Sequence, residues 1–367
     1  MATIEEQIQE IEEEIHNTQK NKATEHHVGK LKAKLAKLRA QRELHKAKSS
    51  GGGKGYYVKK SGDATVALVG FPSVGKSSLL NVFTGKESEV GAYKFTTLEV
   101  IPGVMEYKGA KIQILDMPGI IRGASKGKGR GKEVITAARS SDLIILFGDV
   151  YNYRMDVLER ELYDAGIRLN KRPPNVTVTP AEKGGITVRK TVDQTHMTDD
   201  EVAEIMRVYG VINGTIVLRE DTTPGRLVDV LAANREYVPS ITVINKYDLA
   251  YEGVEDKIRE YVNGDYYRIS VKSGQDVQKL KNDIYDKLRF IRVYLKPQGG
   301  KADLKEPLVL MKGSTVKTIC EHLHRDFVDN FRFAYVWGKS AKYPGQSVGL
   351  NHEVLDEDVI SIILKKK

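Results

Sequence analysis

The chain of 367 residues has a single cysteine, Cys320, and a single tryptophan. One thiol excludes any internal disulfide framework and points to a reducing, cytosolic setting. No run approaches the roughly 18 consecutive apolar residues of a membrane span, so no membrane partner is expected. The N-terminus is acidic and helical in pattern, without the apolar core of a secretory leader. Cys320 shares an apolar helical stripe with Val316, Ile319 and Leu323, which makes it a buried structural thiol. What is present is more informative. Hydrophobic residues make up 40% of the chain, enough for real cores, and the length suits two to three domains. The formal net charge is +9, which permits an anionic partner, and the cations cluster, which favours nucleic acid.

Residues 1–48 read as two helices. Ile4, Ile8, Ile11 and Ile15 recur at spacings of four and three, as do Val28, Leu31, Leu35 and Leu38. The first arm is acidic (Glu5, Glu6, Glu10, Glu12, Glu13, Glu14) and the second basic (Lys30, Lys32, Lys34, Lys37, Arg39, Arg42). Opposite charges suit an antiparallel hairpin, and the basic arm also suits RNA. Residues 49–62, with "SSGGGKG" at Ser49 to Gly55, form a linker by composition. Strand patterns then alternate with helical ones: Thr65–Val69, Gly103–Tyr107, Lys111–Leu115 after the turn Lys108-Gly109-Ala110, "DLIILFGDV" ending at Val150, "SITVIN" ending at Asn245, and "YRISV" at Tyr267–Val271. Such alternation argues an α/β fold with a doubly wound, mainly parallel sheet over residues 63–292.

Between Val150 and Asn245 lies more chain than one crossover needs, so an inserted α+β lobe is expected at about 165–235. Within it "NVTVTPAEKGGITVRK" reads as a hairpin around Lys183-Gly184-Gly185. Thr198 and Glu201 form a capping-box pattern, and Thr223-Pro224 opens another helix. From Val293 the pattern changes to a compact α+β module, residues 293–367, compatible with a β-grasp.

The sharpest signal is "GFPSVGKS", Gly70 to Ser77, a G-x-x-x-x-G-K-[ST] loop between a strand and a helix. In the loop Gly70, Phe71, Pro72, Ser73, Val74 and Gly75, the glycines let backbone N–H groups (Pro72 has none) wrap a phosphate, and the helix start at Lys76, Ser77 and Ser78 favours its charge. Lys76 would reach the β- and γ-phosphates, and Ser77 would ligate Mg²⁺. In "DMPG", Asp116 closes an apolar strand and is placed to hold a magnesium-bound water. Met117 and Pro118 follow it, and the Gly119 N–H can sense a γ-phosphate. Between these motifs, Thr97, with Thr96 as the alternative, offers a second magnesium ligand on a loop that lets go when the γ-phosphate leaves. "NKYD" selects the base. The Asp248 carboxylate accepts from N1–H and the exocyclic amine of guanine, Lys246 lays its methylenes over the ring, and Asn245 bonds the base edge and braces the phosphate loop. Ser270-Val271-Lys272 lies at the next strand end, where a backbone N–H can meet guanine O6. Lys76, Thr97 and Gly119 are the catalytic candidates.

On "GFPSVGKSSLLN", "YKFTTLEVIPG", "DMPGIIRGASKGKGRG", "NKYD" and "NTQKNKATEHHVGKLKAKLAKLR", the chain resembles the developmentally regulated GTP-binding (DRG) family of Obg-type GTPases. The resemblance implies an N-terminal helical hairpin, a Ras-like G domain with an inserted lobe, and a C-terminal TGS domain of β-grasp type. It further implies GTP and GDP as ligands, slow hydrolysis, a cytoplasmic role in translation, and the ribosome or a structured RNA, not DNA, as partner. A non-catalytic, GTP-sensing RNA scaffold is the alternative. Two positions depart from the family pattern: Arg122 stands where glutamate is common, and Ser73 stands where an asparagine associated with potassium falls. Many GTPases place a glutamine after D-x-P-G to orient water, but here Ile120 follows. Positioning then falls to a backbone group, a potassium ion, or a cation from Lys126–Lys132 or an activating protein partner. The Lys126–Lys132 run itself reads as a solvated loop.

Overall fold

The computed structural model describes residues 4–18, 24, 27–31, 34, 35, 38, 62–85, 101–117, 131–304, 307–324 and 326–365. The chain separates into two compact units, residues 57–165 with 238–367, and residues 1–56 with 166–237.

In chain order the strands are β1 (Ala64–Gly70), β2 (Ile101–Tyr107), β3 (Ala110–Asp116), β4 (Leu143–Asp149), β5 (Ile167–Leu169), β6 (Val176–Pro180), β7 (Ile186–Lys190), β8 (Gly214–Leu218), β9 (Glu236–Val238), β10 (Ser240–Asn245), β11 (Tyr267–Arg268), β12 (Phe290–Leu295), β13 (Leu308–Met311), β14 (Phe331–Trp337), β15 (Gln346–Val348) and β16 (Val359–Leu364). The larger unit is built on a six-stranded sheet in the order β11-β10-β4-β1-β3-β2, parallel except for β2. Every residue of β1 and β4 is buried, as strands covered on both faces must be. Leu68, Ile114, Ile145 and Val243 pack with Leu79 and Phe83 of the helix Lys76–Thr84 and with Leu280 and Ile284 of the helix Val277–Leu288. The β2–β3 turn sits where the sequence placed it: Lys108 and Gly109 both take positive φ, 49° and 83°, as a two-residue hairpin demands.

Register fixes the site. Leu68 lies beside Asp116, Gly70 beside Phe147, and Asn245 beside Asp149. The motif residues therefore gather at the carboxyl ends of neighbouring parallel strands, where open α/β sheets hold ligands. The last strand is shorter than expected. It stops at Arg268, because Ser270 turns back to accept from Gly274 N–H (2.9 Å) and donate to the Gln275 carbonyl (3.2 Å).

The same unit contains a second sheet, ordered β13-β12-β16-β14-β15. β12 pairs antiparallel with β13 and parallel with β16, and the helix Val316–Leu323 covers one face through Val316, Ile319 and Cys320. A hairpin, a helix and a parallel central pair make a β-grasp. β12 begins at Phe290, so this strand straddles residue 293, where the sequence pattern changes. Cys320 is fully buried, and burial pushes its thiol pKa up.

In the smaller unit three strands run β6-β8-β7, and the helices Asp199–Val208 and Pro224–Ala232 pack on them through Val202, Met206 and Leu227 against Ile216 and Leu218. The expected hairpin around Lys183-Gly184-Gly185 is corrected: β8 lies between β6 and β7 and bonds to both. Asn213, just before β8, holds the 181–185 loop that joins the separated strands, accepting from Gly185 N–H (2.8 Å) and donating to the Glu182 carbonyl (3.1 Å). The Thr198–Glu201 capping box forms in both directions, at 3.3 and 2.7 Å. Ile8 and Ile11 of the first N-terminal helix, Ile4–Asn17, cluster with Leu31 and Leu38, so each seam finds the other. The second arm also reaches the lobe: Gly29 leaves room for Pro224, and Lys30 pairs with Glu204.

Candidate functional site

The phosphate loop is shaped by contacts that admit no side chain at two positions. A Cβ on Gly70 would sit 2.0 Å from the Phe147 carbonyl oxygen. One on Gly75, where φ is +99°, would sit 2.5 Å from Asn245 Nδ2. Ser73 also takes a positive φ, 61°. The loop delivers the chain into the helix Lys76–Thr84 without a side-chain cap, leaving the first helical N–H groups for an anion. Lys76 is buried and its ammonium curls over the loop, donating to the carbonyls of Phe71 (2.8 Å) and Gly70 (3.4 Å).

Ser77, exposed beside Lys76, donates its hydroxyl to the Asp116 carboxylate. Burial pushes the Asp116 carboxyl up, against the Ser77 hydrogen bond and Lys76; burial likewise pushes Lys76 down, against Asp116. Desolvation thus disfavours the charged form of both groups, and a bound phosphate and dication would favour it. Ser77 and Asp116 supply hard oxygen ligands that suit Mg²⁺, which takes few protein ligands and completes its shell with phosphate and water. The described residues contain no cluster of three His, Cys, Asp or Glu able to hold a metal. Met117 is buried and its N–H donates to the Leu68 carbonyl at 3.3 Å. Thr96, Thr97, Pro118, Gly119, Ile120, Arg122, the linker "SSGGGKG", the run up to Gly129 and Arg130, and Lys366 and Lys367 lie outside the described residues.

The base-side motifs converge on the same loop. The Asn245 amide donates to the Val74 carbonyl at 2.9 Å and accepts from the Val271 N–H at 3.1 Å. It therefore ties the phosphate loop to the Ser270-Val271-Lys272 turn, and its burial makes both bonds matter. Ser270 is buried, and its hydroxyl accepts from Ser273 N–H at 3.2 Å. Lys246, held in a left-handed conformation, donates to the Ser73 carbonyl at 3.0 Å. Asp248 and Lys272 are exposed at the rim, with Asp248 in the short turn Tyr247–Leu249.

One contributor escaped the sequence reading. Asp149, fully buried at the end of β4, takes the Lys246 ammonium at 2.6 Å and the N–H groups of Tyr151 (3.0 Å) and Asn152 (2.8 Å). The signal was an acid closing an otherwise apolar strand, since a buried carboxylate requires partners.

Comparison with known proteins agrees with this arrangement. Residues 65–180 match the family model of the 50S ribosome-binding GTPase domain, residues 183–290 the C-terminal region of the same domain, and residues 291–364 the TGS domain. The fold and site define a P-loop GTPase with a C-terminal TGS domain. An uncharacterized GTP-binding protein of Methanocaldococcus jannaschii is 55% identical over 99% of this chain and 93% of its own. Ribosome-interacting GTPase 1 of Saccharomyces cerevisiae is 46% identical over the full length of both chains. Human developmentally-regulated GTP-binding protein 2 is 44% identical over 98% of this chain and 99% of its own. The chain belongs to the developmentally regulated GTP-binding protein family.

Asp149→Asn tests the buried acid. The amide keeps the shape and the bonds from Tyr151 and Asn152 but removes the charge that holds Lys246. GDP affinity, read by titration with a fluorescent analogue, is expected to fall about tenfold, the scale of one charge-assisted bond. Unchanged affinity would show that Lys246 needs no such anchor.

Proposed function

We propose that the chain hydrolyses GTP slowly to GDP and phosphate, with Mg²⁺, and acts as a cytoplasmic, translation-linked switch that associates with the ribosome or structured RNA. The observation that carries the nucleotide half is the two-ended Asn245 bond, because it joins the loop suited to phosphates to the turn suited to the base. In this reading Gly70 to Ser78 cradle the phosphates, Lys76 neutralises the β- and γ-phosphates, and Ser77, Asp116 and Thr97 hold Mg²⁺. Asp248 reads guanine, Lys246 covers the ring, and Val271 and its neighbours Ser270 and Lys272 face O6. Gly119 N–H reports the γ-phosphate, and Met117 and Pro118 carry the turn toward it.

The rate is expected to be low because Ile120 cannot hydrogen-bond the attacking water, and phosphoryl transfer depends on positioning. A backbone group, potassium, or a cation from an activating partner supplies the remainder. Ile120 also favours the alternative, a non-catalytic GTP sensor on RNA; single-turnover hydrolysis by purified protein separates the two. The ribosome half rests on similarity to the ribosome-interacting GTPase of yeast and to the 50S ribosome-binding GTPase family. It draws further support from the basic second arm and the net charge of +9. No helix among the described residues is long and apolar enough to cross a membrane.

Two experiments test these halves. Asp248→Asn puts a donor amide opposite the guanine N1–H and amine, so GTP binding should collapse by roughly 10⁴-fold while xanthine nucleotides gain. Normal GTP binding by that variant would mean the base lies elsewhere. Sedimentation with ribosomes at low salt should be greater with a non-hydrolysable GTP analogue than with GDP, and should fall steeply as salt rises. A chain that ignores ribosomes in every nucleotide state removes the translation role.

A further inference from the structure

The C-terminal sheet has one face sealed by its helix, through Val293, Ala334, Val336 and Ile360. The opposite face is only half covered. At its β12–β13 corner Phe290, Val309 and Met311 join the large core of the G domain. Beyond that corner the register sets Tyr294 and Trp337 on either side of Val359, Tyr335 opposite Ser361 and Ser347, and Phe333 opposite Ile363. Directly opposed residues share a face, so four aromatic side chains stand on one surface. Tyr335 is 37% exposed, and Tyr294, Phe333 and Trp337 are half-buried around it.

The rings are arranged along β14 without consuming one another. Phe333 and Tyr335 have centroids 5.1 Å apart at 77°, and Tyr335 and Trp337 6.1 Å apart at 49°. Neither pair is stacked face to face, the arrangement that would bury two ring faces at once. A cation stands over each end: the Arg332 guanidinium 5.6 Å from the Phe333 centroid and the Lys296 ammonium 4.2 Å from that of Trp337. None of the positions that this register sets on the open face is a carboxylate. The nearby acids Asp356 and Glu357 are engaged by Arg292 and Lys339.

We propose that this face binds unpaired RNA bases, with Tyr335 as the central stacking platform and Lys296 and Arg332 meeting the backbone. The inference deepens the RNA-linked function proposed above and rests on it. Aromatic rings flanked by cations on an open sheet are what single-stranded nucleic acid requires, because every base has a π-face and every linkage a negative charge. An apolar protein helix fits less well, since docking it would bury Lys296 and Arg332 without partners. A duplex hides its base faces and gains little from the rings. Ser347, exposed directly across from Tyr335, adds a hydroxyl that can pair with a ribose 2′-OH.

The test uses the full chain and fluorescently labelled oligouridylate, oligoadenylate and an RNA duplex of equal length. Both single strands should bind better than the duplex. Tyr335→Ala should weaken single-strand binding about tenfold, while Tyr335→Phe, which keeps the ring, should stay within about twofold of the parent. Lys296→Ala should lower the slope of log affinity against log salt by about 0.7. GDP affinity serves as the folding control and should not change in any of the three. Preference for the duplex, absence of single-strand binding, or a Tyr335→Ala variant that binds as tightly as the parent would each overturn the proposal. Ribosome sedimentation of the parent runs alongside. Its failure in every nucleotide state sinks the broader function, whereas the oligonucleotide results decide the aromatic face.

Discussion

The site depends on one buried amide. Asn245 spans the gap between the Val74 carbonyl and the Val271 N–H, and so joins two loops that are far apart in sequence. The constraint reaches further than two bonds. Gly75 must be glycine because Asn245 Nδ2 lies where its Cβ would be. That glycine in turn sets the start of a helix that has no side-chain cap. Leaving either end of a buried amide unmade costs about 1–3 kcal/mol, so the loops have reason to move together.

The same logic recurs along the sheet. Asp116, Asp149 and Asn245 are polar residues that close strands of otherwise apolar character, and all three are buried. None could be held there without a partner. Asp116 has Ser77 and Lys76, Asp149 has Lys246 and two backbone amides, and Asn245 has its two loops. Lys246 extends the chain of dependence, since it bonds both Asp149 and the Ser73 carbonyl. The residues of the phosphate loop and of the "NKYD" and Ser270–Lys272 turns are thus linked through Asn245, Lys246 and Asp149. Such coupling suits a protein in which one nucleotide must be sensed as a whole.

Legibility from sequence followed the range of the interaction. The phosphate loop, "DMPG" and "NKYD" are local patterns, and Gly70, Asp116 and Asn245 stand at strand ends because strand and loop lengths are themselves written locally. The Lys108-Gly109 turn was legible for the same reason: a glycine that tolerates positive φ lies between two strand patterns, and Lys108 joins it in that region. Asp149 was not, because its importance lies in burial and in Lys246, which is distant in sequence. The strand pair flanking Lys183-Gly184-Gly185 misled for a related reason. A glycine-rich turn between two β-branched runs favours a hairpin locally, but β8 offered each strand a better-buried neighbour, and Asn213 stabilised the loop that this required. The start of β12 at Phe290 was hidden because its first residues complete the core of the preceding domain as well as opening their own.

The most direct test of the central claim is the nucleotide affinity of Asn245→Ala. With both bonds gone, the phosphate loop and the Val271 turn lose their common brace while the sheet beneath keeps its core. Titration with GDP should show a loss of roughly a hundredfold, the scale of two buried hydrogen bonds, with circular dichroism unchanged. An Asn245→Ala protein that binds GDP within about twofold of the parent would contradict the account, since a brace worth less than that scale could not organise the site.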